Sequence, residues 1–233
     1  MKVAIMQPYI FPYLGYFQLI QAVDTFVFYD DVNFIKRGWI NRNRILVNGQ
    51  EHLITFPLKK ASQNKLIKDV EVALDDKWLQ QFYKTLEQNY KYAPYYTQTL
   101  KLIQTVFETP HTTIEELAMH SVKVISDDLG INTNFKWSSV DFPEMIGMSK
   151  SERLIKISQL NGRDHYVNPS GGKVLYDKTD FRLNGLTLSF IENELLPYRQ
   201  FDADFVNGLS IIDVLMFNTK VEINKQLTNY KLT

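Results

Sequence analysis

Residues 2–31 read KVAIMQPYIFPYLGYFQLIQAVDTFVFYDD. Residues 2–6 form a short apolar run of β type that stops before Pro8, because proline cannot continue a β ladder. Residues 14–23 carry apolar side chains at helical spacing, and residues 25–29 are again strongly β-prone. Strand, helix and strand in succession form a βαβ unit, which predicts a parallel pair of strands joined by a right-handed crossover.

Further elements are indicated along the rest of the chain. Asn48-Gly49 lies between two β-prone runs and predicts a β-hairpin, and a second hairpin is predicted around Asn184-Gly185. Residues 75–130 have the pattern of a helical segment. Strands are predicted at residues 67–74, 135–140 and 165–168, and a helix capped by Ser210 at residues 211–218. The tail from residue 220 is expected to be polar and weakly ordered.

Local signals mark three helix boundaries. Thr113 with Glu116 and Ser149 with Glu152 both match the capping-box pattern, and Gly130 is a natural helix stop. Together these features predict a single α/β domain spanning residues 1–233. Its architecture is a Rossmann-like, mostly parallel sheet with an N-terminal βαβ unit, β-hairpin insertions and a helical middle segment.

The composition excludes several classes of protein. Lys+Arg and Asp+Glu both number 26, so bulk charge would not draw the chain into a nucleic-acid groove. The chain has no cysteine, which excludes disulfides, thiolate metal sites and a cysteine nucleophile. Walker A, GxGxxG and GxSxG motifs are missing, and the histidines show no metal-ligand spacing. No transmembrane or signal segment stands out, so a cytoplasmic protein is expected.

The first candidate site is the loop and helix start after the first strand. In open parallel sheets, ligands bind outside the carboxyl ends of the strands, beside helix N-termini. A glycine there would let a ligand approach the backbone, and several tyrosines carry polar tips that a packed loop does not need. The alternative is that this segment only shapes a turn and packs the core. The candidate ligand-binding residues are Gln7, Pro8, Tyr9, Tyr13, Gly15 and Tyr16.

The second candidate site follows the second strand. Asp30 and Asp31 are neighbouring carboxylates, which can serve as a general base or bind a cation. The basic stretch after them suits phosphate groups, with arginine as a bidentate clamp, although a solvated charged loop has the same composition. The candidate ligand-binding residues of this stretch are Lys36, Trp39, Asn41 and Arg42.

Two later stretches add further candidates. A predicted strand runs into a Pro-Ser-Gly-Gly loop whose amides can hold a phosphate or carboxylate, although a simple tight turn would also use these residues. His165 precedes this loop and is the best placed of the histidines for a catalytic role. The candidate ligand-binding residues are Asn168, Ser170, Gly171 and Gly172 in the loop, with Ser210 and Asp213 further on. Ser210 fits a helix cap better than a nucleophile.

These stretches resemble the WbqC-like protein family. The resemblance is carried by residues 6–24, 30–43, 166–172 and 209–213, and it covers nearly the whole chain. The family is known mainly from bacterial O-antigen and other surface-polysaccharide gene clusters. The resemblance therefore implies a role in making or decorating a nucleotide-activated or lipid-linked sugar.

A more distant resemblance is to the HUP nucleotidyltransferase-type Rossmann-like domains. Tyr13-Leu14-Gly15-Tyr16 stands where those domains have His-x-Gly-His, and Met148-Ser149-Lys150-Ser151 is similar to their later Lys-Met-Ser-Lys-Ser loop. Gly147 replaces the first lysine of that loop. Because tyrosines replace the histidines, an already activated donor, including a charged tRNA, fits better than ATP-dependent adenylyl transfer.

The residues and the resemblance together favour an enzyme of surface-polysaccharide biosynthesis. The expected reaction transfers an acyl or aminoacyl group to an amino sugar on a nucleotide carrier, with Asp30 or Asp31 as general base. Lys36 and Arg42 would hold phosphate. The sequence identifies no cofactor, and the acyl or aminoacyl group would come from an activated donor. One alternative is a non-catalytic sugar-nucleotide-binding or scaffold protein of an assembly complex. Another is a metal-dependent glycosyl or nucleotidyl transferase. The sequence leaves the oligomeric state open.

Overall fold

The computed structural model describes residues 1–201 and 204–233. Within them the strands are β1 Lys2–Met6, β2 Thr25–Phe28, β3 Arg42–Val47, β4 Gln50–Thr55, β5 Asn134–Trp137, β6 His165–Pro169, β7 Thr187–Asn193 and β8 Tyr230–Leu232. The α-helices are α1 Leu14–Gln21, α2 Asp76–Tyr90, α3 Tyr96–Glu108, α4 Ile114–Leu129, α5 Ser138–Asp141, α6 Lys150–Leu160, α7 Lys178–Leu183, α8 Ile211–Phe217 and α9 Lys220–Leu227. Short 3₁₀ segments lie at Ile67–Asp69, Pro143–Met145 and Ser170–Val174.

The main sheet has the N-terminal strand in its interior. In the described part of the chain it has six strands in the order β5-β2-β1-β6-β7-β8. The first five are parallel, and β8 joins β7 antiparallel. This confirms the predicted α/β class, the Rossmann-like mostly parallel sheet and the N-terminal βαβ unit. The chain leaves β1 on one side toward β2 and returns on its other side with β6, so the strand order reverses between β1 and β6. Doubly wound sheets bind ligands at such a reversal.

The central strands are buried on both faces. Val3 and Ile5 of β1 pack in one buried cluster, while Ala4 between them packs in the other. The same alternation separates Val27 from Phe26, because successive side chains of a strand point to opposite faces. Helices cover both faces of such parallel sheets, which explains why the strand residues are apolar throughout. Each fully buried aliphatic or aromatic side chain stabilises the fold by about 1.5–3 kcal/mol.

The first predicted hairpin is present. Strands β3 and β4 pair antiparallel from Arg42 opposite Thr55 to Val47 opposite Gln50. The two turn residues have positive φ, 52° at Asn48 and 75° at Gly49, as a two-residue hairpin turn requires.

The helical middle segment is also present, as α2, α3 and α4. Thr113 and Glu116 form the predicted capping box at the start of α4, and Gly130 ends that helix in the left-handed conformation with φ 71°. The second predicted capping box is wrong as a cap. Helix α6 begins after Ser149, but the Ser149 side chain makes no hydrogen bond to the helix backbone.

The second predicted hairpin is wrong. Residues 181–183 belong to helix α7, and Asn184-Gly185 ends that helix instead of joining two strands. The Gly185 amide donates to the carbonyl of Arg182 at 3.0 Å. Strand β7 then pairs parallel with β6, so the segment completes a second crossover unit. An Asn-Gly pair suits a helix end as well as a hairpin turn, and local sequence does not separate the two uses.

Two further expectations are corrected by tertiary contacts. Residues 67–74 were expected to be a strand but form a 3₁₀ turn followed by single β-bridges, Leu58 with Val72 and Glu71 with Thr113. The tail from residue 220 was expected to be weakly ordered but forms α9, which starts with a capping box, and β8. Pairing with β7 orders the tail, and such a partner is not visible in the local sequence.

None of the helices in the described ranges combines the length and apolar character that a membrane crossing requires.

Candidate functional site

A cavity of about 780 Å³ opens at the carboxyl edge of the main sheet. Met6 and Gln7 line it from the end of β1, and Asn168 and Pro169 line it from the end of β6. Tyr29 contributes from the end of β2. The cavity therefore lies where the strand order reverses, and its volume is within the range of small-molecule sites in proteins.

Amide and phenol groups form the polar part of the cavity wall. Gln7 and Asn168 bring side-chain amides, and the Tyr166 hydroxyl donates to Oδ1 of Asn168 at 3.1 Å. Burial raises the pKa of Tyr29 and of Tyr176, and it raises the pKa of Tyr166 well above its ordinary value. All three phenols therefore stay protonated near neutral pH. The Tyr166 proton is donated to Asn168, so Tyr29 and Tyr176 are the phenols that can donate to a ligand.

Among the residues that the structure describes, Lys150 at the start of α6 is the one cationic side chain that lines the cavity. It lines the cavity together with Gly147, whose φ of 89° requires a residue without a side chain. Lys150 is exposed, and in the part of the chain that the structure describes it makes no ion pair. Part of the stretch that resembles the Lys-Met-Ser-Lys-Ser loop, Gly147 and Lys150, thus lines the cavity.

The Asp31 carboxylate is engaged with protein groups. Nη2 of Arg153 donates to Oδ2 of Asp31 at 2.5 Å, and the exposed fractions of the two side chains are 4% and 0%. The Arg153 guanidinium also lies 4.8 Å from the ring centre of Tyr29. Asp31 is one of the residues that line the cavity, but its carboxylate group is buried in the ion pair with Arg153. The carboxylate positions Arg153 and α6 against the end of β2.

Asp30 is completely buried and does not reach the cavity. Its carboxylate accepts hydrogen bonds from the Ser138 hydroxyl at 2.7 Å, from the Ser139 amide at 2.9 Å and from the Ser139 hydroxyl. The Ser138 hydroxyl also lies 2.5 Å from Asp31. Burial, and then the neighbouring Asp30 charge, raise the pKa of Glu115 to about 8. Glu115 is therefore largely protonated at pH 7 and donates a hydrogen bond to Asp30. Asp30 in turn holds the start of α5 through Ser138 and Ser139.

The glycine-rich loop contributes through Gly171 and Gly172, both of which line the cavity. A Cβ at Gly172 would lie 1.7 Å from Nδ2 of Asn168, so a glycine is required for the Asn168 amide to occupy its position. A Cβ at Gly171 would meet no atom within 4 Å. Ser170 is exposed and is not a lining residue.

Most candidates from the first loop are packed in the protein interior. The Tyr16 hydroxyl donates to the backbone carbonyl of Gln7 at 2.8 Å, and the rings of Tyr9 and Tyr16 are 5.5 Å apart. A Cβ at Gly15 would lie 2.4 Å from the Tyr13 ring, so this glycine permits close packing. Burial, and then Tyr13, raise the pKa of Tyr9 to about 12. The structure brings Gln7 to the cavity but not Pro8, Tyr9, Tyr13, Gly15 or Tyr16.

The stretch after β2 reaches the cavity through Val32, Asn33 and Ile35 and not through its basic residues. Asn41 and Arg42 donate to backbone carbonyls at 2.8 and 3.0 Å, which anchors the start of the hairpin. Lys36 and Trp39 are exposed outside the cavity. The predicted phosphate clamp of Lys36 and Arg42 is therefore not assembled at this site.

His165 lies at the opposite edge of the sheet. It begins β6, whereas Asn168 and Pro169 at the cavity end the same strand. Nε2 of His165 is 2.9 Å from the Ser189 hydroxyl, and burial lowers the pKa of the imidazole. The structure therefore separates His165 from the other candidates.

Ser210 and Asp213 also serve the fold outside the cavity. The Ser210 side chain accepts from the Ile212 amide at 3.2 Å, as a helix cap does. The Asp213 carboxylate is fully buried and accepts from the hydroxyls of Tyr90 at 2.8 Å and Tyr198 at 2.6 Å. This cluster ties α8 to α2.

The sequence reasoning missed several residues at or behind the cavity wall. Tyr29 directly follows β2, and its position at the end of a predicted strand could have identified it from the sequence. Arg153 lies one helical turn after Lys150, but nothing local shows that it pairs with Asp31. The missed residues are Tyr29, Glu115, Ser138, Ser139 and Arg153. Among residues 1–201 and 204–233, no three His, Asp or Glu side chains are grouped as metal ligands would be.

Comparison with known proteins gives two findings. The model of the WbqC-like protein family matches residues 7–225. The uncharacterized protein Rv1507c of Mycobacterium tuberculosis (strain ATCC 25618 / H37Rv) is 30% identical over 224 residues, which are 95% of each chain. No solved structure matches this chain. The chain belongs to the WbqC-like protein family.

Proposed function

We propose that this WbqC-like protein is an enzyme of surface-polysaccharide biosynthesis that transfers an acyl or aminoacyl group to an amino sugar on a nucleotide carrier. The observation that carries the proposal is the cavity at the reversal of strand order. It combines the amides of Gln7 and Asn168 with the ammonium of Lys150. A nucleotide sugar needs both kinds of group, since it has hydroxyls at one end and phosphates at the other.

The binding roles follow from the side chains at the cavity. The Gln7 and Asn168 amides can donate to and accept from sugar hydroxyls. Lys150 supplies a positive charge for a phosphate and takes the role that the sequence suggested for Lys36 and Arg42. Tyr29 and Tyr176 offer ring faces for a sugar or base and hydroxyls that stay protonated.

The transfer itself requires a free amine. The sugar ammonium first loses one proton, and the neutral nitrogen then attacks the acyl carbon. The bond between the acyl carbon and its carrier breaks, the carrier leaves with a second proton from the nitrogen, and an amide remains. Asp31 is the only carboxylate lining the cavity in the described residues. Since Arg153 encloses it, Asp31 accepts the first proton only when the ion pair opens.

The test is a transfer assay read by mass spectrometry. Amine-bearing nucleotide sugars are incubated with the protein and an activated donor, either an acyl thioester or an aminoacyl-tRNA. The expected result is a sugar product heavier by one acyl or aminoacyl group. Gln7→Leu should reduce its formation, whereas the exposed Gln81→Leu should not. Unchanged nucleotide sugars with every donor would contradict the proposed reaction.

A second candidate function is sugar-nucleotide binding without catalysis, as in a scaffold subunit. The observation that favours it is the enclosed Asp31 carboxylate, because no other carboxylate and no histidine among the described residues lines the cavity. This function predicts tight binding of a nucleotide sugar without product. The metal-dependent transferase has no comparable support, since protein groups already engage the Asp30 and Asp31 carboxylates.

A further inference from the structure

Three exposed aliphatic side chains surround the mouth of the cavity. Ile35, Ile146 and Leu175 all line it, and their exposed fractions are 49%, 54% and 60%. They come from separate parts of the chain: the loop after β2, the loop before α6 and the residue that follows the 3₁₀ segment after β6. Single exposed aliphatic residues are ordinary, but three from separate segments at one opening make a joint apolar surface.

The apolar lining continues from the mouth into the cavity. Leu66 is half-buried, and Leu154 and Ile5 are buried with exposed fractions of 2% and 4%. These side chains give the cavity an aliphatic wall beside its polar one. A ligand made only of sugar and phosphate would leave that wall in contact with water, whereas a hydrocarbon chain would cover it.

A positive charge lies beside this apolar wall. Lys150 lines the same cavity four residues after Ile146 and makes no ion pair with the residues described. An aliphatic surface next to an unpaired cation is complementary to an amphiphile with an anionic head. The positive charge of Lys150 thus favours a ligand that carries a phosphate group next to its apolar part.

We propose that the mouth formed by Ile35, Ile146 and Leu175 binds the aliphatic chain of a phosphate-bearing substrate, with the phosphate at Lys150. This inference rests on the proposed function and specifies its substrate class. The hydrocarbon chain belongs either to the acyl group of a donor on a phosphate-bearing carrier or to the lipid of a lipid-linked amino sugar that takes the place of the nucleotide-linked one. Both sources combine a phosphate with a hydrocarbon chain, and the shape of the chain distinguishes them.

The first experiment is a calorimetric titration of the full chain with n-alkyl phosphates of increasing length, below their micelle concentrations. Inorganic phosphate is the baseline. Each methylene that leaves water for the aliphatic wall should tighten binding by about threefold to fourfold. Geranyl phosphate is compared with straight-chain decyl phosphate. Tighter binding of decyl phosphate identifies an acyl chain, and tighter binding of geranyl phosphate identifies an isoprenoid lipid. Affinity that does not change with chain length would overturn the inference.

Matched variants locate the binding site. Ile146→Ser and Leu175→Ser should weaken decyl phosphate at least about tenfold and leave inorganic phosphate unchanged, since they remove apolar contact alone. Leu160→Ser and Leu183→Ser replace leucines that are exposed by 62% and 79% away from the cavity, and they should have no effect. Lys150→Gln should weaken every member of the series by the same factor. Equal losses in the Leu175 and Leu183 variants would overturn the inference.

A transfer assay beside the alkyl phosphate series separates this inference from the proposed function. The assay uses the wild-type protein, a nucleotide amino sugar and a short acetyl donor. If transfer is observed but alkyl length has no effect, this inference fails and the proposed function stands. If affinity depends on alkyl length but no transfer occurs, the proposed function fails and this inference stands. If Leu175→Ser changes the oligomeric state of the protein, the mouth is an interface with a second copy and the inference is overturned. If Leu175→Ser abolishes binding to lipid vesicles while alkyl length has no effect on affinity, the mouth binds a membrane and the inference is likewise overturned.

Discussion

The guanidinium of Arg153 lies 2.5 Å from the carboxylate of Asp31, and both side chains are buried. The two residues are 122 positions apart, and their ion pair joins helix α6 to the end of β2. The cavity lies between these elements and the end of β6, so the pair holds the cavity wall in position. The sequence suggests Asp31 as a general base, whereas in the structure its carboxylate holds Arg153.

Breaking this pair on one side should be strongly destabilising. Arg153→Met leaves the Asp31 carboxylate buried without a cation, which costs about 3–5 kcal/mol of unfolding free energy. Asp31→Asn with Arg153→Met removes both charges and should recover part of that loss. Urea denaturation followed by circular dichroism measures both values. A loss below about 1 kcal/mol in Arg153→Met would show that the pair does not hold the wall.

The two neighbouring glycines of the cavity loop should respond differently to alanine. Gly172→Ala places a methyl group where the Asn168 amide now lies, so it should displace that amide and weaken sugar-nucleotide binding by at least about tenfold. Gly171→Ala adds a methyl group in open space at the cavity. It should therefore leave the melting temperature unchanged. Unchanged sugar-nucleotide binding in Gly172→Ala would contradict the close contact between Gly172 and Asn168.

Glu115 should make stability decrease as pH rises. Its pKa in the folded protein is about 8, above the ordinary value of 4.5, because of burial and the Asp30 charge. Between these two values the folded state keeps a proton that the unfolded chain releases. The stabilising contribution is therefore complete below pH 4.5 and is lost as pH rises through 8.

Glu115→Gln tests this pH dependence, since glutamine keeps a donor for Asp30 and does not titrate. Its melting temperature relative to the wild type should rise from pH 5 to pH 9. The exposed Glu87→Gln is the control and should follow the wild type at every pH. Parallel profiles of wild type and Glu115→Gln would show that Glu115 does not carry the proton.

Asp213 should contribute to stability and not to ligand binding. Asp213→Ala leaves the hydroxyls of Tyr90 and Tyr198 and the amide of Gln200 without their acceptor. Unfolding free energy should fall by at least about 3 kcal/mol, since each unsatisfied buried donor costs about 1–3 kcal/mol. Affinity for a nucleotide sugar, measured well below the melting temperature, should stay within about twofold. A larger loss of affinity would place Asp213 in the binding site after all.

Local patterns were sufficient to predict much of the fold. The strand–helix–strand unit, the Asn48-Gly49 hairpin and the capping box at Thr113 each depend on residues close in sequence. The second hairpin at Asn184-Gly185 was wrong because the same two residues can end a helix. The tail was wrong because its order depends on strand β7, whose position beside β6 is a tertiary property.

The candidate site was predicted only in part, for a similar reason. Gln7, Asn168, Gly171 and Gly172 follow strand ends, and topology alone brings such residues to one edge. Whether a side chain faces the cavity or a protein partner depends on distant residues. Asp31 meets Arg153 from another helix, and a polar residue such as Tyr16 satisfies its hydroxyl on a nearby carbonyl. Local sequence does not show these partners.

The most direct test of the account is calorimetric titration with amine-bearing nucleotide sugars of each nucleotide class. We expect one class to bind the wild-type protein. Lys150→Ala should weaken that binding by at least about tenfold, and Lys156→Ala, which changes an exposed lysine further along the same helix, should leave it unchanged. Absence of binding by every class, or the same affinity in the two variants, would contradict the assignment of this cavity as the sugar-nucleotide site.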